Sequence, residues 1–133
     1  MRQDVYSGHL KECGEENERT LTTASNYAAS FLSLRRWEES RSLLRKTIPV
    51  ARRVLGEGHD LTLRMRTIYA QAIYKDPAAT LDDLRETVAT LEETARTARR
   101  VLGAAHPIEG IIEDCLRQSR SILAARETPA GSA

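Results

Sequence analysis

The sequence predicts an all-α fold, an α-solenoid of antiparallel helix hairpins closed by a C-terminal capping helix. A nine-residue stretch at 51–59 returns at 98–106 with seven identical positions, at an offset of 47 residues. Self-similarity with a period of this size is typical of repeat architectures, in which each copy is one supersecondary unit. Apolar residues also recur at spacings of three and four, and no segment alternates like a β-strand.

The first hairpin is predicted from two helical segments that are joined by a short turn. Residues 18–34 and 37–55 each carry an apolar face at helical spacing, and the two arginines at 35–36 form a polar turn between them. Residues 2–13 give a weaker helical signal, because Gly8 costs a helix about 1 kcal/mol relative to alanine.

Proline interrupts the second of these segments. Pro49 has no backbone N–H, so it removes one helical hydrogen bond and is expected to kink the helix near Arg45. The alternative is a pair of short helices broken at Ile48.

The second hairpin and the last helix are predicted from the same kinds of signal, apolar spacing and helix caps. Residues 60–75 repeat the apolar pattern of the first segment, and Thr80 with Asp83 resembles a capping box that opens a long helix to Leu102. A further helix is predicted over 107–126. The chain therefore contains five or six helices.

The last helix is expected to cap the stack, apolar on one side and polar on the other. Ile111 belongs to the predicted inner side and Glu109 to the outer side. We assign residues 1–126 to one helical repeat domain, and residues 127–133 to a disordered C-terminal tail.

Three junctions between helices share a glycine followed by a polar residue. Glycine suits the left-handed position just past a helix end, and the polar residue suits the N-cap of the next helix. The predicted junction glycines are Gly14, Gly56 and Gly103, and the predicted N-caps are Asn17, His59 or Asp60, and His106. Pro107 then occupies the first helical position, where its missing N–H costs nothing.

The composition excludes several classes of protein. The chain has 133 residues, with 20 Lys and Arg against 19 Asp and Glu, so no global charge attracts nucleic acid or an anionic membrane. No apolar run approaches the roughly 18 residues of a membrane span, and the N-terminus lacks the apolar centre of a signal peptide.

We interpret Cys13 and Cys115 as reduced thiols of a cytoplasmic protein, with a disulfide between them as the alternative.

Short motifs recur at matching places in both predicted hairpins. In the first they are Thr20-Leu21, Asn26-Tyr27-Ala28, Trp37-Glu38-Glu39-Ser40 and Leu43-Leu44, and the second ends on Leu102-Gly103-Ala104-Ala105-His106-Pro107. This arrangement resembles the tetratricopeptide repeat, in the long-linker version found in kinesin light chains. The resemblance covers residues 13–107 and implies about two and a half units. Ser40 and Thr87 stand where the family usually has alanine at the close-packed point of the second helix.

The resemblance implies a concave groove, lined by the first helix of each unit, that holds an extended peptide or a partner helix. Amide side chains can clamp a peptide backbone and cations can meet a carboxylate, although solvation alone would also explain the cations. Carried over from the family's groove positions, the predicted contacts are Ser25, Asn26, Ala29, Ser33, Arg64, Thr67, Gln71, Tyr74, Lys75 and Gln118.

No stretch of the sequence indicates catalysis or a cofactor. There is no nucleophile motif, no glycine-rich phosphate loop and no cluster of residues at metal-ligand spacing. His59 and His106 occupy equivalent places in successive units, so we interpret them as helix caps and expect no metal there.

Two function classes remain after these exclusions. The first is a non-enzymatic scaffold or adaptor that binds a peptide or partner helix in the groove. The alternative is a structural subunit, packed permanently in a larger assembly or in a homo-oligomer, because so short a solenoid leaves its ends exposed. A homodimer through one end is an expectation of this second class.

Overall fold

The structure is a computed structural model that describes residues 13–128, with side chains from residue 18 onwards. Within this part of the chain there is no strand, which confirms the predicted all-α class. The helices are α1 (Cys13–Ser33), α2 (Trp37–Val54), α3 (Asp60–Tyr74), α4 (Leu81–Leu102) and α5 (Pro107–Glu127). Residues 2–12 of the weak helical signal and residues 129–133 of the expected tail lie outside the described residues. The division into a domain and a tail stays a prediction.

The helices stack as two hairpins and a final single helix. α1 packs on α2, α3 packs on α4, and α5 packs on α4. The first helices of successive units also touch, α1 against α3 and α3 against α5, whereas α2 and α4 do not pack together in the described part of the chain. The stack is therefore closed on the side of α1, α3 and α5, and it is open between α2 and α4.

The central helix α3 belongs to both parts of the core. With α1 and α2 it forms an N-terminal cluster, made of Leu21, Ala28, Leu44, Ile48, Ala51, Leu61, Met65 and Ile68. With α4 and α5 it forms a C-terminal cluster, which includes Leu63, Ala70, Tyr74, Leu84, Leu91, Ala95, Ala98, Ile108, Ile112, Cys115 and Leu116. Burial of this apolar area is the main force that holds the stack together.

Small residues mark the close-packed points of both hairpins. Ser40 is fully buried, and its Oγ donates to the carbonyl oxygen of Ala28 across the α1–α2 contact at 3.0 Å. Thr87 is also buried, and its hydroxyl donates to the carbonyl oxygen of Asp83 at 2.8 Å. Each hydroxyl thus has a partner, so its burial costs little.

Two of the three predicted junctions are confirmed. Gly56 and Gly103 follow helix ends with φ of 100° and 92°. Glycine adopts such positive φ values readily, and residues with a Cβ rarely do. The prediction at the first junction is wrong, because Gly14 and Asn17 lie inside α1. One helical glycine costs only about 1 kcal/mol, and the glutamates that follow it favour helix, so α1 begins earlier than the sequence pattern indicated.

Histidine caps two helices, as predicted. Nδ1 of His59 accepts a hydrogen bond from the backbone N–H of Leu61, and Nδ1 of His106 accepts one from Ile108, both at 3.1 Å. Pro107 occupies the start of α5, where no donor is lost.

The capping box at the start of α4 is also confirmed. The Thr80 hydroxyl accepts from the N–H of Asp83 at 3.0 Å, and the Asp83 carboxylate accepts from the N–H of Thr80 at 3.1 Å. The bond from the Thr80 backbone N–H, and then the Thr80 side chain, favour the ionised carboxylate and hold the pKa of Asp83 below its ordinary value.

Pro49 does not break its helix. α2 runs from Trp37 to Val54 without interruption, so the alternative of two helices broken at Ile48 is wrong. Leu44 and Ala51 are both fully buried, and they anchor α2 to the core on either side of the proline. This packing compensates for the hydrogen bond that the proline removes.

The start of α5 is oriented differently from the sequence expectation. Ile111 is half exposed and Glu109 is buried, the reverse of the predicted sides. The Glu109 carboxylate contacts the Arg99 guanidinium of α4 at 2.6 Å. A buried carboxylate needs a partner, and this ion pair supplies one.

Candidate functional site

Six of the ten predicted groove residues are exposed: five on or beside α1 and α3, and Gln118 on α5. Asn26, Ala29 and Ser33 follow one another along α1 at spacings of three and four residues, so they form one stripe. Arg64 lies in α3, and Lys75 lies just beyond its end. Among the described residues, Arg64 has no ion-pair partner. These five side chains are open to a partner on the closed side of the stack.

Three other predicted residues lie inside the protein. Ser25, Thr67 and Tyr74 are buried, because the first helices of the units pack directly on one another. The Thr67 hydroxyl donates to the carbonyl oxygen of Leu63 at 2.8 Å, within its own helix. These residues hold the stack together, and the structure does not expose them to a partner.

Hydrogen bonds between α3 and α5 involve the remaining predicted residues. The Tyr74 hydroxyl donates to Oε1 of Gln118 at 2.8 Å, and Nε2 of Gln71 donates to Sγ of Cys115 at 3.2 Å. Burial and the neighbouring Cys115 raise the pKa of Tyr74, so its hydroxyl stays protonated and donates. Gln71 is half-buried, whereas Gln118 is exposed.

A cleft opens at one end of the exposed stripe. Its volume is about 410 Å³, and its lining joins the turn after α1 to the end of α3: Leu32, Ser33, Arg35, Trp37, Lys75 and Pro77. Arg35 and Lys75 are cations that suit an acidic group of a partner, and the half-buried indole of Trp37 suits an apolar side chain beside that group.

Arg35 and Trp37 were not among the predicted contacts, because the sequence pattern placed them in a turn and at a helix start. Their position beside Lys75 depends on how the two hairpins pack, so no local sequence signal indicated it. We define the groove surface as Asn26, Ala29, Ser33, Arg35, Trp37, Arg64 and Lys75.

The described part of the chain also bears on metal binding and membrane insertion. It holds no group of three or more His, Cys, Asp or Glu residues that could bind a metal ion. None of its helices has the length and apolar character needed to cross a membrane. Cys115 is a free, buried thiol.

Comparison with known families gives one match. Residues 20–60 match the family model described as tetratricopeptide repeat, over most of α1, all of α2 and the junction that follows. Neither the curated proteins nor the solved structures gave a match. The match supports a tetratricopeptide repeat protein, and it includes residues 20–33 of α1 and the first part of the groove surface.

Proposed function

We propose that this protein is a non-enzymatic interaction module that holds a peptide or a partner helix on the groove surface. Tetratricopeptide repeats generally mediate protein–protein interactions. The observation that carries the proposal is the exposed stripe of Asn26, Ala29 and Ser33, which leads into the cleft beside Arg35 and Lys75.

The chemistry of this surface suits a peptide with an acidic group. Ala29 and Ser33 are small, so a backbone can approach α1 closely. The Asn26 amide can donate to and accept from that backbone. Arg64 and Lys75 are exposed cations that can meet a carboxylate, and Trp37 offers an apolar face inside the cleft.

The groove variant Asn26→Ala/Arg64→Ala/Lys75→Ala is expected to lose its partner while it keeps its helix content. Each removed side chain is exposed, so the fold should tolerate the change. Proteins retained by the immobilised wild-type chain would be identified by mass spectrometry. The segment that binds would then be titrated as a purified peptide, and we expect its affinity for the groove variant to fall by about tenfold or more.

The matched control removes the same kinds of charge from another face. Lys46→Ala/Arg53→Ala changes two exposed cations of α2 that lie outside the groove surface, and it should bind like the wild type. Equal peptide affinity for the groove variant and the wild type would contradict the proposed site. Circular dichroism of all three proteins checks that their helix content is the same.

Exposed apolar residues favour a second function, a subunit that assembles through the first unit. Tyr27 and Leu34 of the α1 region are 61% and 63% exposed, and they lie seven residues apart, about two helical turns. A second copy or a larger assembly would cover them.

Light scattering at increasing protein concentration tests this second function. Assembly through this face predicts a mass of twice 14.9 kDa or more, which Tyr27→Glu/Leu34→Glu returns to the monomer value. Val101→Glu alters another exposed apolar residue, on α4, and should leave the mass unchanged. A monomer at every concentration would contradict self-association.

The finer assignments also remain proposals. The long Leu-Gly linkers support a unit of the kinesin-light-chain type, and a scaffold or adaptor role would follow from partner binding on the groove surface. The free thiol of Cys115 is compatible with a reducing, cytoplasmic location. Fluorescence microscopy of the tagged chain in its native cell tests the location.

A further inference from the structure

A second cleft lies between α2 and α4, outside the groove surface. Its volume is about 320 Å³, and its floor is formed by α3. Arg45 and Arg52 line it from α2, Arg66 and Tyr69 from α3, and Thr90 and Glu93 from α4. We call this site the arginine cleft, after its three guanidinium groups.

The guanidinium at its floor is buried but weakly paired. The Arg66 side chain is only 6% exposed, yet its nearest carboxylates are Glu57 at 3.3 Å and Glu93 at 3.8 Å. The side chains of those two glutamates are 58% and 64% exposed, so solvent weakens their attraction for the cation. A buried charge with such partners is incompletely compensated.

The positive charge of Arg52 makes this environment still less favourable for the charged Arg66 side chain. Burial, and then the positive charge of Arg52, hold the pKa of Arg66 below its ordinary value. Arg52 pairs with Glu57 at 3.2 Å, so one carboxylate serves both guanidinium groups. Among the described residues, Arg45 pairs only with the exposed Glu38, at 3.6 Å. The lining of the cleft thus carries three guanidinium groups against the single carboxylate of Glu93, a net positive charge.

A nearby arginine shows how a structural cation of this chain is paired. Arg41, in the same gap between α2 and α4, donates to the carbonyl oxygen of Ala72 at 2.8 Å. It also contacts Glu38 at 2.7 Å and Asp76 at 3.2 Å, and these bonds raise the pKa of Arg41. Among the described residues Arg66 has no comparably short contact, and a purely structural role does not account for this difference.

We propose that the arginine cleft binds a phosphate-type oxyanion. Guanidinium groups can form bidentate hydrogen bonds with phosphate, and the low exposure of Arg66 strengthens such a bond. Tyr69 and Thr90 add hydroxyl groups to the lining. The cleft is about ten times the roughly 30 Å³ that one water occupies, so it has room for phosphate and part of the group that carries it.

Titration with inorganic phosphate tests this site directly. Sodium phosphate would be added to the full isotope-labelled chain at neutral pH, with sodium chloride at matched ionic strength as the reference. We expect saturable NMR shift changes for amides near Arg45, Arg66 and Thr90, and none of these with chloride. A parallel titration with O-phosphoserine separates two sources of the anion: tighter binding than phosphate indicates a phosphate carried on an organic group, and equal binding indicates free phosphate.

Two variants decide which residues bind. Arg66→Met should weaken phosphate binding by about tenfold or more, and its midpoint of thermal unfolding should stay equal or rise, because an apolar side chain replaces a poorly paired buried charge. Arg53→Met removes an exposed cation next to Arg52 in sequence but outside the cleft, and it should bind phosphate like the wild type.

Several results would overturn the proposal. They are shift changes that chloride reproduces, saturable changes confined to the groove surface around Arg64 and Lys75, and unchanged phosphate affinity in Arg66→Met. If Arg66→Met fails to fold, the double variant Arg45→Met/Arg52→Met decides the question. Loss of binding in this double variant supports the arginine cleft, and wild-type binding rejects it.

Discussion

Replacing Leu91 by alanine is expected to lower the free energy of unfolding by about 2–5 kcal/mol, the usual cost of this change in a core. Leu91 is fully buried in α4, where it belongs to the cluster shared by α3, α4 and α5. The shorter side chain leaves a cavity, because its neighbours are held by three helices and can relax only partly. A domain of this size has a total stability of roughly 5–15 kcal/mol, so the loss is a large share.

Leu44 offers the equivalent change in the other half of the core. It is fully buried in α2 and belongs to the cluster shared by α1, α2 and α3. Leu44→Ala is expected to cost a similar amount. Since Leu44 and Leu91 belong to separate clusters, we expect the double variant to lose approximately the sum of the two single effects.

Urea denaturation followed by circular dichroism measures both effects. The matched control is Leu34→Ala, which truncates a leucine that is 63% exposed and should change stability by less than about 0.5 kcal/mol. A loss at Leu91 no larger than at Leu34 would be incompatible with the C-terminal cluster described above. Hydrogen exchange on Leu91→Ala should show the greatest loss of protection in α4 and α5.

Replacing Gly103 by alanine is expected to cost about 1–3 kcal/mol, through backbone strain alone. Gly103 ends α4 with φ of 92° and ψ of 156°, a conformation that is essentially restricted to glycine. Steric crowding does not contribute, because a Cβ at this position would meet no atom within 4 Å. The change therefore isolates the conformational requirement of the second junction.

A glycine inside a helix provides the matched control. Gly110 lies in α5, and a Cβ there would also meet nothing within 4 Å. Gly110→Ala is expected to raise stability by about 0.5–1 kcal/mol, because alanine has less conformational entropy to lose and favours helix. Thermal unfolding of both variants should thus show shifts of opposite sign, and equal shifts would contradict the assigned backbone conformation of Gly103.

Local patterns predicted most of the secondary structure. The repeated stretch indicated the ends of α2 and α4, and the observed ends of the last four helices lie within one residue of the prediction. These features depend on neighbours a few residues apart: glycine past a helix end, histidine at an N-cap, and an apolar face at helical spacing. The same approach failed at Gly14, where helix propensity outweighed the junction pattern.

The candidate site was predicted only in part. Asn26, Ala29 and Ser33 lie on an exposed stripe, yet Ser25 and Thr67 are buried where α1 meets α3. Periodicity shows which residues share a helix face, but it does not show how much of that face a neighbouring helix covers. Partner binding by the exposed residues stays a prediction.

By itself, the sequence determined the helical class, the two-hairpin repeat and the junctions at Gly56 and Gly103, because these depend on local backbone preferences and short-range spacing. Only the tertiary structure decided that Tyr74 meets Gln118, that Glu109 turns inward to Arg99, and that Arg45, Arg52 and Arg66 share one cleft. Those contacts bring together residues of different helices, and they depend on the angles and offsets at which whole helices pack.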